Sequence, residues 1–119
     1  MKILVLCLAL ASSVAGATIA SQDDLTRVAL ANGQGFVDSG ERFGITIGEG
    51  VSAADRLLVG RGLELSRRTS GGNCYGRKYS DQYDLRVYID ATWRHGTVCV
   101  AALRGRVASI SWFYNFLSP

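Results

Sequence analysis

The chain has 119 residues, nearly half of them hydrophobic, and a formal net charge of +3. That length suits one small domain, and so modest a basic excess argues against a nucleic-acid-binding protein. With a single histidine and no pair of CxxC motifs, the chain has too few soft ligands for a zinc site, and no phosphate-binding glycine motif occurs, so neither a metal nor a cofactor is predicted.

The N-terminal segment has the features of a secretory signal. One basic residue precedes an apolar run from Ile3 to Leu10, which is too short to span a bilayer. Ala15-Gly16-Ala17 then matches the small-residue site that signal peptidase cleaves. We therefore predict a signal peptide at residues 1–17, with a cut after Ala20 as the alternative. The mature protein is expected in the periplasm or outside the cell, with no stable membrane span.

The cysteine count becomes even once the signal is removed. Cys7 leaves with the signal, whereas Cys74 and Cys99 remain in a compartment where disulfides persist. We predict a disulfide between them, which stabilises the fold by roughly 3 kcal/mol through loop closure. Two buried free thiols are the alternative.

Two short helices are predicted at the start of a single α+β domain that covers residues 18–119. The first, at about 22–31, and the second, at about 53–60, each follow a serine with a carboxylate three residues later, which is typical of a capped helix start. Apolar residues recur at helical spacing, and glycines end both segments. Between them, the glycine-rich residues 33–50 are predicted to be mostly loop, with a short strand at 43–47.

From residue 63 onward the hydrophobic pattern has a period of two, which is typical of β-strands. Turns are predicted at 69–73 and 80–82, where small and polar residues cluster, and at 103–106, where a glycine favours a hairpin. The predicted strands are 63–67, 74–79, 85–90, 97–102 and 107–112. The third has one apolar face and one face with Arg86, Tyr88 and Asp90. The predicted fold is two helices packed on a four- to five-stranded antiparallel meander.

The basic residues near the predicted first hairpin are one candidate binding surface. Residues 18–55 have a net charge of −4 and residues 56–119 a net charge of +6, which indicates either an acidic partner or contact between the two halves. With tyrosines nearby, the basic group would bind an anionic sugar, a lipid head group or an acidic protein, and a solvated face is the alternative. Its members are Arg67, Arg68, Arg77 and Lys78.

The C-terminal strand is the second candidate surface. Its side chains alternate, so Trp112, Tyr114 and Phe116 share one face, and Phe113 and Leu117 share the other. One face should enter the core, and the other should stay exposed unless another element or a partner covers it. Exposed aromatic residues are frequent binding hot spots, and burial of both faces is the alternative.

His95 is the single histidine and lies between two predicted strands. Catalysis would need a nucleophile or a carboxylate within hydrogen-bond reach of its ring. Histidines in turns are usually only solvated, and Glu64 is the single glutamate in the basic half of the chain. We therefore predict a non-enzymatic protein, with a small secreted hydrolase that uses His95 as the alternative.

Three short motifs resemble the SmpA/OmlA family of small envelope proteins. They are the helix start at Gly50-Val51-Ser52, the helix end at Val59-Gly60-Arg61-Gly62 and the final hairpin from Val98 to Ile110. The resemblance covers about residues 45–112. It implies helices on an antiparallel sheet, a shape also found in the secreted beta-lactamase inhibitor protein, and a protein-binding role. The chain lacks the lipidated cysteine and has Arg61-Gly62 where the family has a proline, so no functional residue is carried over.

Together these features predict an exported, non-enzymatic protein-binding module of the bacterial envelope or exterior. Its partner would be another envelope or extracellular protein, and an acidic one if the basic half of the chain meets it. An inhibitor of a secreted hydrolase is the alternative within the same class.

Overall fold

The computed structural model describes residues 25, 27–29, 33–92 and 96–115, and its main element is a five-stranded antiparallel sheet. Within these residues the elements are β1 Gln34–Val37, β2 Glu41–Arg42, β3 Ile45–Thr46, α1 Val51–Gly60, β4 Leu63–Cys74, β5 Arg77–Asp90, β6 Gly96–Leu103 and β7 Arg106–Tyr114. The order in the main sheet is β1-β7-β6-β5-β4, and β2 pairs with β3 in a separate ribbon. The predicted antiparallel meander is confirmed by β4 to β7, which pair in chain order.

The prediction that residues 33–50 are mostly loop is wrong for β1, which pairs with β7 along its whole length. Its sequence does not alternate, because Gly35 lies opposite Trp112 in the register and the indole ring packs directly on the glycine backbone. A Cβ at Gly35 would clash with that ring. Glycine in a strand often marks such a close approach. The strand predicted at 43–47 is reduced to the two residues of β3.

The predicted turns at 69–73 and 80–82 are also wrong, because both segments lie inside β4 and β5. The chain reverses instead at Tyr75-Gly76, where both residues have positive φ, as a two-residue type I′ hairpin requires. The final hairpin is confirmed, and its connection narrows to Arg104-Gly105 with the same backbone signature.

Helix α1 confirms the second predicted helix but not its predicted cap. It begins at Val51 with Gly50 as the N-cap, and no side chain caps it; the Val51 N–H instead donates to the Gly105 carbonyl. Asp55, which completes the expected capping motif, instead accepts a hydrogen bond of 2.6 Å from the Tyr88 hydroxyl. The C-terminal end follows the prediction, since the helix ends at Gly60.

The main core lies between α1 and one face of the sheet, and Leu58, Tyr88 and Trp112 are among its buried members. Residues 25 and 27–29 are helical, and Leu25 and Ala29 are buried in this core. The remainder of the predicted first helix lies outside the described residues, as does the predicted signal at 1–17. No helix within the described ranges is both long and apolar enough to cross a membrane.

The predicted disulfide between Cys74 and Cys99 is confirmed, with the two Cα atoms 6.3 Å apart. It lies on the opposite face of the sheet from α1. There Cys74, Cys99, Leu85 and Ala101 form a second, smaller buried cluster. The end of the β4–β5 hairpin therefore bends over this face, while the rest of both strands remains part of the same sheet.

Candidate functional site

The tip of the long hairpin, residues 72–79, covers part of the sheet face opposite α1. Three attachments hold it there: the disulfide to Cys99, a 2.7 Å hydrogen bond between the Tyr79 hydroxyl and Ser109 Oγ, and a hydrogen bond from the Tyr75 hydroxyl to Thr97. The attachment points lie on β6 and β7, so the tip crosses the middle of the sheet.

Gly71 makes the bend that brings the tip over the sheet. The pairing of β4 with β5 skips from Ser70–Asp84 to Gly72–Tyr79, and Gly71 fits into this irregularity with φ of 70°. A Cβ at this position would lie 2.8 Å from the Ser80 carbonyl oxygen. Only glycine meets both the dihedral and the space requirement. The glycines that suggest a turn in the sequence therefore lie at a bend within the continuous β4–β5 hairpin.

An exposed apolar surface remains beside the tip. Ile89, Thr97 and Phe113 are neighbours across β5, β6 and β7, and the Tyr75 ring lies 6.2 Å from the Phe113 ring. The exposed fractions are 37% for Ile89, 37% for Phe113 and 43% for Tyr75. We call these four residues the aromatic strip.

A cleft of about 400 Å³ adjoins the aromatic strip, between β1, the hairpin tip and β7. Its lining residues are Gln34, Gly35, Phe36, Cys74, Tyr75, Arg77, Ser111, Trp112 and Phe113. The Arg77 guanidinium lies 3.4 Å from the centroid of the Phe36 ring, a cation–π arrangement that orients the side chain. The cleft thus combines aromatic walls with one positive charge.

The two faces of the C-terminal strand have different environments. Trp112 is buried against Phe43, with ring centroids 5.0 Å apart, and Arg42 lies over its indole ring. The buried Tyr114 donates a 2.8 Å hydrogen bond to Asp90. Of the predicted surface residues on this strand, Phe113 is the exposed one among those described, and Phe116 lies outside the described residues.

The four predicted basic residues do not form one group. Arg67 and Arg68 pair with β5 at Val87 and Arg86, whereas Arg77 and Lys78 belong to the tip beyond the bend. The Arg68 guanidinium makes two hydrogen bonds of 3.0 and 3.1 Å to the Asp84 carboxylate. The charge of Arg68 is therefore largely matched within the chain.

Asp84 is the centre of this charged group on β5. Burial alone would raise the pKa of Asp84, but the hydrogen bonds and charges of Arg68 and Arg86 outweigh it and hold the pKa below its ordinary value. Arg86 also lies 3.8 Å from Asp55 of α1. One carboxylate from the acidic first half of the chain is thus matched by the basic second half.

Two buried tyrosines complete the polar interior. Burial, reinforced by the hydrogen bonds to Asp55 and Asp90, raises the pKa of Tyr88 and Tyr114 well above the ordinary value. Both hydroxyls therefore keep their protons above the pH at which an ordinary tyrosine ionises, and each donates to an aspartate side chain. Because these hydrogen bonds pair the Tyr88 hydroxyl and the Asp90 side chain, both residues can be buried although they lie on the more polar face of their strand.

The sequence alone did not point to Gln34, Phe36, Thr97 or Ile89 as parts of the site. The available signal is cross-strand register, since Ile89, Thr97, Phe113 and Gln34 form one continuous row across four strands. His95, on which the hydrolase alternative depends, lies outside the described residues.

In the part of the chain that the structure describes, no three His, Cys, Asp or Glu side chains group as metal ligands would. Comparison of the chain with known protein families, curated proteins and solved structures finds no match. Any functional conclusion therefore depends on the geometry of the site.

Proposed function

We propose that this protein is an exported, non-enzymatic binding module that holds another envelope or extracellular protein through the aromatic strip. The observation that carries the proposal is the exposure of Phe113 and Tyr75, which pack on each other at the surface. Exposed apolar area is unfavourable in water at about 25 cal/mol per Å², so a partner that covers it gains that free energy.

The attachment of the tip supports this role. Tyr75 directly follows the disulfide-bonded Cys74, and it is held by its contact with Phe113 and its hydrogen bond to Thr97. A side chain ordered before binding loses little conformational entropy on association. Rigid aromatic anchors of this kind supply much of the energy of many protein interfaces.

Export is part of the same proposal. The N-terminal sequence has the pattern of a cleavable signal, and the disulfide is of a kind that persists in the periplasm or outside the cell. The predicted partner is accordingly a protein of that compartment. Intact-mass measurement of the exported chain should show a start at Thr18 or at Ser21.

Site-specific photo-crosslinking tests the proposal directly. A photoreactive amino acid is placed at position 113 or, as a matched control, at Val59, which is 50% exposed on α1. In its native host, the exported protein should yield a discrete crosslinked partner from position 113 and not from position 59. Identical adducts from both positions, or none from position 113, would contradict the proposal.

The crosslinked partner then permits a quantitative test. Phe113→Ala and Tyr75→Ala should each weaken its binding by about tenfold or more, as expected for hot-spot residues, while Val59→Ala changes it by less than about twofold. Binding that is unchanged in the Phe113 variant would refute the assigned surface. If the partner is a hydrolase, its activity with and without the exported protein distinguishes an inhibitor from a non-inhibitory binding module.

A further inference from the structure

Arg77 has the properties of a ligand-binding cation. Its guanidinium lies over the Phe36 ring, its side chain is exposed, and it forms no ion pair with any described residue. The ring covers one side of the guanidinium, and the N–H groups remain available to a ligand. Those groups match the two oxygens of a carboxylate and bind it in a bidentate manner.

The surroundings of Arg77 favour an anion. None of the residues that line the cleft is acidic, and the next residue along the tip is the exposed Lys78. Arg68, further along the same hairpin, is by contrast matched by Asp84. The positive charge at the cleft is therefore uncompensated among the described residues.

The edge of β1 borders the same cleft and can accept another strand. The Gly33 carbonyl accepts a hydrogen bond of 2.9 Å from the Tyr114 N–H. Because antiparallel pairing alternates, Gln34 and Phe36 direct their backbone N–H and C=O groups to the side away from β7. No described strand pairs with β1 on that side.

The two edges of the sheet differ in how they are protected. The β4 edge carries Arg67 and Arg68 and two register shifts, features that discourage strand pairing. The β1 edge, Gln-Gly-Phe-Val, carries neither charge nor proline. An edge without charge or proline, beside an unpaired cation, is suited to an extended peptide with a carboxylate.

We infer that the cleft binds an extended acidic segment of the partner, which pairs with the β1 edge and places one carboxylate on Arg77. The inference rests on the proposed function, because it names the part of the partner that meets this surface. The side chains of this segment on the same face would contact Phe36, and another part of the partner would cover the aromatic strip, because β1 lies between the segment and β7.

A peptide selection tests the inference. A display library of random heptapeptides is panned on the exported protein. Each selected peptide is then synthesised in two forms, one with its Asp or Glu and one in which that residue is replaced by Asn or Gln. The selected peptides should carry a carboxylate at a constant position among alternating apolar residues. A selection without Asp or Glu would overturn the inference.

A double-mutant cycle then assigns the carboxylate to Arg77. Replacing the peptide acid by its amide should weaken binding to the wild-type protein by about tenfold or more, and should have little effect on an Arg77→Gln variant. Arg77→Lys should restore part of the affinity, while the control Lys78→Gln changes it by less than about twofold. Equal effects of the amide peptide on wild type and Arg77→Gln would refute the assignment. Thermal unfolding of each variant verifies that the fold is intact.

Other occupants give different results. If sulfate displaces the peptide fully and chloride at the same ionic strength does not, the cleft is a site for small anions and the inference is overturned. A dimer in sedimentation experiments that Arg77→Gln abolishes would identify a second copy as the occupant, with the same consequence.

The inference and the proposed function can fail separately. If a partner crosslinks at position 113 and its affinity is the same for wild type and Arg77→Gln, the proposed binding function stands and the acidic-segment inference is overturned. Acidic peptides bound through Arg77, without any crosslinked partner, would support the inference and contradict the proposed function.

Discussion

Single alanine substitutions at Trp112 and Phe113 should separate core from surface on one strand. Trp112 is 6% exposed and packs on Phe43 and Gly35, so Trp112→Ala should lower the free energy of unfolding by about 3 to 5 kcal/mol. That is a large part of the roughly 5 to 15 kcal/mol that stabilises a small protein. Phe113 is already 37% exposed, and Phe113→Ala should cost only about 1 to 2 kcal/mol.

Urea denaturation followed by far-ultraviolet circular dichroism measures both values without relying on tryptophan fluorescence. The matched binding measurement should show the reverse order, because Phe113→Ala removes part of the aromatic strip and leaves the core unchanged. If both substitutions destabilise the protein equally, β7 is buried on both faces and the reasoning that assigns Phe113 to a binding surface is refuted.

Replacing both disulfide cysteines by serine should lower the free energy of unfolding by about 3 to 4 kcal/mol, since the bond closes a separation of 25 residues; an unchanged urea midpoint would contradict this. Gly71→Ala should cost about 2 to 4 kcal/mol because of its positive φ and the close Ser80 carbonyl, whereas Gly60→Ala, in open space at the end of α1, should cost nothing. The raised pKa of Tyr88 and Tyr114 means that the folded state holds these protons more tightly than the unfolded state. The contribution of these two tyrosines to stability should therefore be constant up to about pH 10 and fall as pH rises further, and their tyrosinate absorbance should appear together with unfolding. Ionisation of all tyrosines before any loss of circular dichroism would exclude this coupling.

The errors of prediction have a common physical cause. The glycine and polar residues around 69–73 favour a turn when only neighbours along the chain are considered. In the folded protein the same residues form a bend, because Gly71 lies against Ser80 and Asp81 of the paired strand. Similarly, Asp55 accepts a hydrogen bond from the Tyr88 hydroxyl instead of taking part in a cap at the start of its own helix.

The β1 strand was missed for a related reason. Its glycine lowers the strand signal of the segment, yet that glycine is needed because the indole ring of Trp112 covers it. The residue that explains Gly35 lies on the last strand of the chain. A local pattern cannot contain that information.

The sequence by itself determined the disulfide pair, the second helix and the meander of strands that ends in the final hairpin. Cysteine count, helical spacing and alternation are properties of residues close together in the chain, and they predict local structure without knowledge of packing. Only the tertiary structure decided which face of β7 enters the core, because that choice depends on the side of the sheet on which α1 packs. It also decided the aromatic strip and the Arg77 cleft, since cross-strand register and the bend at Gly71 bring together side chains that are far apart in sequence.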